Sequence, residues 1–301
     1  MTGRSAYDEV AVAAELRRIG ARFDPEVLLA TRALYRAAVE ALPWSGRPGV
    51  YDVAYGPAER QQLDIYPSDR PGAPIVLFLH GGGFVSGDKR SDASFYGNVG
   101  RYFAAHGFLA VLANYRLAPA AVWPSGQEDT AAAVDWLSRQ AADYGGDSTR
   151  IVLIGQSAGA AHVAGYLFDH RAAPRRDGAI RAAVLMSGFY RAKPPLVGGP
   201  RLYFGEDETA WPNRSPVAHL TRSHPPLMLS VAEFDPAPIA DQTLDLATVL
   251  NGVDGSPPRL VWFEGHNHVS TIHGLGLGGD IVGRTLREFA ARATKPPNRV
   301  V

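Results

Sequence analysis

The stretch from Arg150 to Phe168 constrains this chain more than any other. Arg150-Ile151-Val152-Leu153-Ile154 is a short apolar run rich in β-branched residues, the pattern of a buried strand. Gly155-Gln156-Ser157-Ala158-Gly159 follows it, and Ala160 to Phe168 reads as a helix. A strand that enters a helix through one tight turn holds the turn residue in strained backbone geometry. Side chains at 155 and 159 would collide with the adjoining strand and helix, which accounts for the glycines. Ser157 then stands at a helix N-terminus, where unpaired N–H groups favour a developing negative charge. A bland Gly/Ser-rich turn has the same letters, but the strand before it and the helix after it favour a nucleophile.

Composition removes several classes of function. Lys plus Arg and Asp plus Glu balance at 30 each over 301 residues, so no global charge argues for nucleic acid or an anionic membrane surface. No apolar run approaches the length of a membrane-spanning helix, and Met1 to Ser5 leads into a charged segment unlike a signal peptide. The absence of cysteine excludes disulfides, thiol catalysis and thiolate metal sites, and a cytoplasmic location is the default expectation.

Along the chain, residues 8–41 predict two helices. Asp24-Pro25-Glu26 supplies a cap, a proline at the first helical position and an acid in the first turn of the second. Residues 1–49 are expected to form a helical cap segment, and 50–301 the catalytic domain. Asp52 to Tyr55 and Gln62 to Tyr66 flank a Gly-Pro turn and predict an antiparallel pair. Ile75 to Leu79, Phe108 to Ala113, Ala182 to Met186, Leu227 to Val231 and Leu260 to Phe263 add further buried strands, alternating with helical stretches. The expected architecture is therefore α/β: a mostly parallel, doubly wound sheet of about eight strands, with its site beyond the strand carboxyl ends. Residues from Lys295 are expected to be a frayed tail. The interval 187–222 is crowded with proline, glycine and aromatics and is expected to be a pocket wall.

Three further segments carry chemistry. His80-Gly81-Gly82-Gly83-Phe84 ends a strand, and its glycines let backbone N–H groups approach a ligand with no side chain between. Such a loop, with the N–H of Ala158, can make an oxyanion hole. A phosphate loop is the rival reading, although neither G-x-G-x-x-G nor G-K-[ST] is present. His80 itself reads as a structural pin for the loop. A serine nucleophile needs a base and an orienting carboxylate. Asp235 follows Leu227 to Val231, and His268 follows Leu260 to Phe263, so Ser157, Asp235 and His268 all fall just past strand ends. Glu233 is the alternative acid. His266-x-His268 could instead be a metal pair, but no third ligand cluster is evident. Asp129 reads as a structural helix cap.

Together these residues make the chain resemble the hormone-sensitive-lipase-like esterases of the α/β-hydrolase fold, and their arylformamidase-like and BD-FAE-like relatives. The likeness runs from about Tyr55 to Ala293, through Leu63-Asp64-Ile65-Tyr66, His80 to Phe84, Gly87-Asp88-Lys89, Asn114 to Pro119 and the Ser157 turn. The lipase-like branch usually has aspartate where this chain has Gln156; Gly87-Asp88-Lys89 leans toward the formamidase-like relatives. The resemblance implies a catalytic Ser157, Asp235 and His268, and an oxyanion hole at Gly82, Gly83 and Ala158. The implied activity is hydrolysis of short-chain carboxylic esters through an acyl-enzyme, with a small-molecule ester as partner and without metal or organic cofactor. An arylformamidase or a non-catalytic ligand-binding module are the alternatives. A homodimer is compatible with all three. Phe84, Tyr190, Tyr203 and Trp211 are expected to bound the substrate pocket, together with the N-terminal helices.

Overall fold

The computed structural model describes residues 7–44, 46–169 and 178–296. The opening residues and most of the expected tail, residues 297–301, lie outside these. The strands are β1 Val50–Ala54, β2 Gln62–Tyr66, β3 Ala73–Leu79, β4 Leu109–Ala113, β5 Gly146–Gln156, β6 Ile180–Met186, β7 Leu227–Phe234 and β8 Arg259–Asn267. They form an eight-stranded sheet in the order β1-β2-β4-β3-β5-β6-β7-β8. β1–β2 and β2–β4 are antiparallel and the remaining pairs are parallel. The helices are α1 Glu9–Ile19, α2 Pro25–Glu40, α3 Gly97–Ala105, α4 Ser125–Gln140, α5 Ala158–Phe168, α6 Gly198–Phe204, α7 Trp211–Arg214, α8 Ala237–Asp254, α9 Ser270–His273 and α10 Ile281–Ala293. None among the described residues is long and apolar enough to cross a membrane.

All seven residues of β3 are buried, and they divide with the period of two that a pleated strand imposes. Ile75, Leu77 and Leu79 pack into one core with Val134, Leu137, Val163 and Leu246 of α4, α5 and α8. Val76 and Phe78 pack into a second core on the opposite face, with Val99, Phe103, Leu286 and Phe289 of α3 and α10. Helices on both faces of a parallel sheet are what continuous apolar strands require, since neither face can be left to water. This arrangement sends every β–α connection, and hence β5–Ser157–α5, to the same edge.

The second N-terminal helix starts where its cap predicts, Asp24 accepting from Val27 N, and Asp8 caps the first by accepting from Ala11 N. Val12, Leu16, Tyr35, Ala38 and Val39 form a small core with Phe95 and Leu277. The start of α2 thereby comes to lie near the carboxyl end of β8.

One polar position, Asp129, departs from the sequence expectation, and a second, Lys89, has a role for which the sequence carried none. Asp129 is not a cap. It lies inside α4, buried, where its carboxylate accepts from the Arg116 backbone N–H and guanidinium and from Gln61 Nε2; it ties the segment after β4 to the helix. Lys89 is only 2% exposed and its ammonium sits between Asp52 and Asp64, with Arg90 on the same carboxylates. A buried ammonium requires such partners, because desolvation would otherwise cost several kcal/mol (~3–5 if one partner were removed). The motif Gly87-Asp88-Lys89 thus fastens the loop after β3 to β1 and β2.

Candidate active site

The turn between β5 and α5 is as tight as the glycines suggest. A Cβ on Gly155 would lie 2.5 Å from the Gly159 carbonyl oxygen, and one on Gly159 would lie 2.2 Å from that of Leu79. Ser157 sits between them at φ 56° and ψ −120°, a backbone state that side chains disfavour. Its N–H donates to the Met186 carbonyl at 2.8 Å, which fixes the turn to β6.

Asp235 follows β7 and His268 follows β8, so both arrive at the same sheet edge. His268 Nδ1 lies 2.7 Å from Asp235 Oδ1. A carboxylate can only accept, so Nδ1 carries the proton and Nε2 keeps a lone pair. Nε2 has no partner among the described residues, and His268 lines one cavity with Ser157. The other carboxylate oxygen of Asp235 accepts from the Ala232 N–H at 2.8 Å and from the Ser187 hydroxyl at 2.6 Å. Three donors therefore hold the acid in one orientation. His268 is held as well: Gln156 Nε2 donates to its carbonyl at 3.0 Å, and the Phe23 ring meets the imidazole edge-on at 4.6 Å.

Glu233, the alternative acid, accepts from the Gly265 N–H and stays away from the imidazole of His268. His266 Nδ1 meets the Ser270 hydroxyl at 2.9 Å, and burial lowers this ring to about pKa 4. The two histidines of the His-x-His pair thus turn to different partners. Among the described residues no group of three carboxylate, imidazole or thiol side chains could hold a metal ion.

The glycine loop leaves its amides open for a simple geometric reason. In a planar trans peptide the C=O and the next N–H point in opposite directions. His80 Nδ1 lies 2.7 Å from the Gly81 carbonyl, and the Gly82 carbonyl accepts from Val85 N, Ser86 N and Ser86 Oγ. Both carbonyls are turned back into the loop, so the N–H groups of Gly82 and Gly83 face the other way. The Ser157 carbonyl accepts from Ala160 N, which likewise frees the Ala158 N–H at the helix start. None of these three amides donates to an acceptor among the described residues. His80 is fully buried, which lowers it to about pKa 4. A neutral ring has one N–H, and the shorter contact assigns it to Nδ1, so His80 pins the loop as a permanent donor.

The cavity over Ser157 holds about 580 Å³. Gly81 to Gly83, Gln156, Ser157, His268 and Tyr96 form its floor, and Phe23, Asp24, Pro25, Leu28 and Arg32 of the α2 region its opposite wall. The four aromatics expected to bound the pocket do not line it. Phe84, Tyr203 and Trp211 are buried in a core of their own with Phe204, Ala158 and Ala161, and Tyr190 belongs to the main core. Phe84 stacks on Tyr203 at 4.7 Å, so the aromatic insertion fills the space behind the glycine loop. Large aromatic area is favourable in a dry core as much as in a pocket, and here the core takes it. Sequence reasoning also missed Ser187 and Arg32. Ser187 carries one local sign, a positive φ of 45° at the end of β6, which aims its hydroxyl at Asp235.

Known proteins resemble this chain in sequence and in fold. A model of the BD-FAE family matches residues 63–174, and one of the prolyl oligopeptidase family matches residues 125–277, just over half of the chain. A probable isoprenylcysteine alpha-carbonyl methylesterase of Oryza sativa is 38% identical over 122 residues, 40% of this chain and 28% of that protein. Esterase LipQ of Mycobacterium tuberculosis is 37% identical over 114 residues, 36% of this chain and 26% of that protein. The chain therefore spans little more than a quarter of the length of these curated relatives. Among solved structures, esterase B from Lactobacillus rhamnosis superposes with a TM-score of 0.71 at 20% identity, over 95% of this chain and 96% of that one. The thermophilic carboxylesterase EstE1 from a metagenomic library gives 0.69 at 22% identity, over 91% of this chain and 99% of that one. These structures share the α/β-hydrolase fold. Because the prolyl oligopeptidase model covers just over half of the chain, the segment that holds Ser157, Asp235 and His268, the chain belongs to that family.

Proposed function

We propose that this chain is a serine carboxylesterase that cleaves small esters with short acyl groups. The observation that carries the reading is the Asp235–His268 pair, which leaves Nε2 unpartnered on the cavity that Ser157 also lines. In the proposed reaction Nε2 takes the Ser157 proton as Oγ attacks the carbonyl carbon. The C=O electron pair moves to oxygen, where the amides of Gly82, Gly83 and Ala158 receive it, each donor worth roughly 3–4 kcal/mol in the transition state. Collapse expels the alcohol, which takes the proton from Nε2 and leaves an acyl-Ser157. Water repeats the sequence in reverse roles and releases the acid. Asp235 stabilises the transient imidazolium and keeps its tautomer. Ser187 and Gln156 keep acid and base in register.

Trapping tests the reading directly. A fluorophosphonate should add one phosphonyl group to the tryptic peptide containing Ser157, and the His268→Ala variant should label far more slowly. Labelling at another residue, or none on folded protein, removes Ser157 as nucleophile. Acyl length follows from the cavity. Each further methylene gains ~0.8 kcal/mol only while space remains, and the α2 wall, with Phe23, Leu28 and Arg32, bounds that space. Rates on p-nitrophenyl esters should therefore peak between about two and six carbons. A maximum at ten carbons or more would show that the cavity opens onto a longer groove. Formamides added to the same panel decide between ester and arylformamide chemistry.

A further inference from the structure

Arg32 lies on α2 and contributes to the wall that faces Ser157 and His268. Its Nε is buried without a hydrogen-bond partner, and no carboxylate among the described residues pairs with its guanidinium. Its neighbours on the same helix behave otherwise. Arg36, one turn on, pairs with Asp92 at 2.9 Å and with Glu40 at 3.8 Å. Arg22, ahead of the helix, pairs with Asp24 at 3.1 Å and Glu26 at 3.3 Å.

The acidic groups around the cavity are each engaged elsewhere. Asp24 accepts from Val27 N and from Arg22. Asp88 accepts from Asn114 Nδ2 at 2.7 Å and from Arg90 N at 2.8 Å, with Arg60 at 3.9 Å. Asp92, beyond Tyr96, is taken by Arg36 and by the N–H groups of Ser94 and Phe95. The polar groups that interact with Arg32 are neutral: the Tyr96 hydroxyl, which shares a hydrogen bond with its guanidinium, and the buried His273 ring. A guanidinium held partly out of water with no counter-charge is unfavourable in the empty site, and its planar fork matches a carboxylate.

We propose that Arg32 makes this site selective for esters that carry a carboxylate elsewhere in the molecule. The inference rests on the ester-hydrolase reading and names its substrate class. The anion would complete the pair that the chain itself leaves open, and the ester carbonyl would then lie over Ser157 and the glycine amides. A charge-assisted pair of this kind corresponds to roughly ten- to a hundredfold in kcat/KM.

The test uses matched ester pairs, each rate normalised to its hydroxide-catalysed rate. 4-Acetoxybenzoate against its methyl ester places the charge on the leaving group. Monoethyl adipate against diethyl adipate places it on the acyl side. In at least one pair the anionic ester should be preferred about tenfold or more, with Arg32→Met cutting that ratio at least about tenfold and Arg32→Lys falling between. Wild-type inhibition by benzoate against benzamide needs no variant, and benzoate should compete at least about tenfold more strongly. Turnover of the neutral esters with no anionic preference in either pair, or an unchanged ratio in folded Arg32→Met, overturns the role of Arg32 alone. No turnover of any ester overturns the hydrolase reading beneath it.

Discussion

Ser157→Ala should reduce ester turnover by a factor approaching a million while the protein melts as before. The size follows from the way the groups act: without Oγ there is nothing for Nε2 to deprotonate, and only the amides and binding remain. Stability should change little, because the hydroxyl makes no hydrogen bond that the turn depends on, and the N–H to Met186 persists in alanine. His268→Ala should lose at least about a thousandfold in kcat, since the lone pair on Nε2 goes with it. His266→Ala should be far milder, because that ring ends on Ser270. Steady-state rates with a melting curve for each variant decide the ranking. Retention of more than roughly a hundredth of the activity in folded Ser157→Ala would falsify the assignment.

Acid should unfold this protein well before its carboxylates titrate. Burial lowers His80 and His266 to about pKa 4, and His162 and His273 to about 3. In the unfolded chain each ring protonates near 6.5. Between about pH 6.5 and 4 the unfolded state therefore binds protons that the folded state refuses. Stability falls as pH falls through that window, by ~1.4 kcal/mol per pH unit for each ring, and the loss stops only where the folded rings protonate too. Asp129 and Asp280 act in the opposite sense, since burial raises both, but only near the carboxylate range. Thermal melts should be nearly flat from pH 7 to 8.5 and then drop by about 5–10 °C per pH unit below 6.5. A melting temperature that holds from pH 7 to 5 would mean these rings find protons, or water, in the folded state.

What could be read from the sequence is what local chemistry decides. The strands were legible because a sheet covered on both faces demands unbroken apolar runs, as in Ile75 to Leu79. The cap of α2 was legible because Asp24 acts within three residues of itself. The order serine, aspartate, histidine could be read because each follows such a run, and the structure sets Asp235 against His268. The aromatic insertion was misread as a pocket wall because Tyr203 or Trp211 looks the same in sequence whether it faces a ligand or fills a core. Ser187 and Gln156 bond residues 48 and 112 positions away, and Arg32 meets Ser157 and His268 only across a shared cavity, so no local pattern shows these contacts. Lys89 was visible as part of a motif, yet its burial between Asp52 and Asp64 depends on the pairing of strands that lie before it.

The glycine loop has a neighbour whose importance extends past packing. Gly199, at the start of α6, comes so close to the Gly83 carbonyl that a Cβ there would overlap it at 1.7 Å. The segment that supplies Phe204 and Trp211 is thus wedged directly behind the amides proposed to receive the oxyanion. Drift in that segment would shift those amides, so it is poorly placed to diversify. The α2 wall meets the site at Phe23, Asp24, Pro25, Leu28 and Arg32. A lineage can exchange those residues for new substrates while the chemistry behind them stays unchanged. The evolutionary freedom of this protein lies on one side of its cleft.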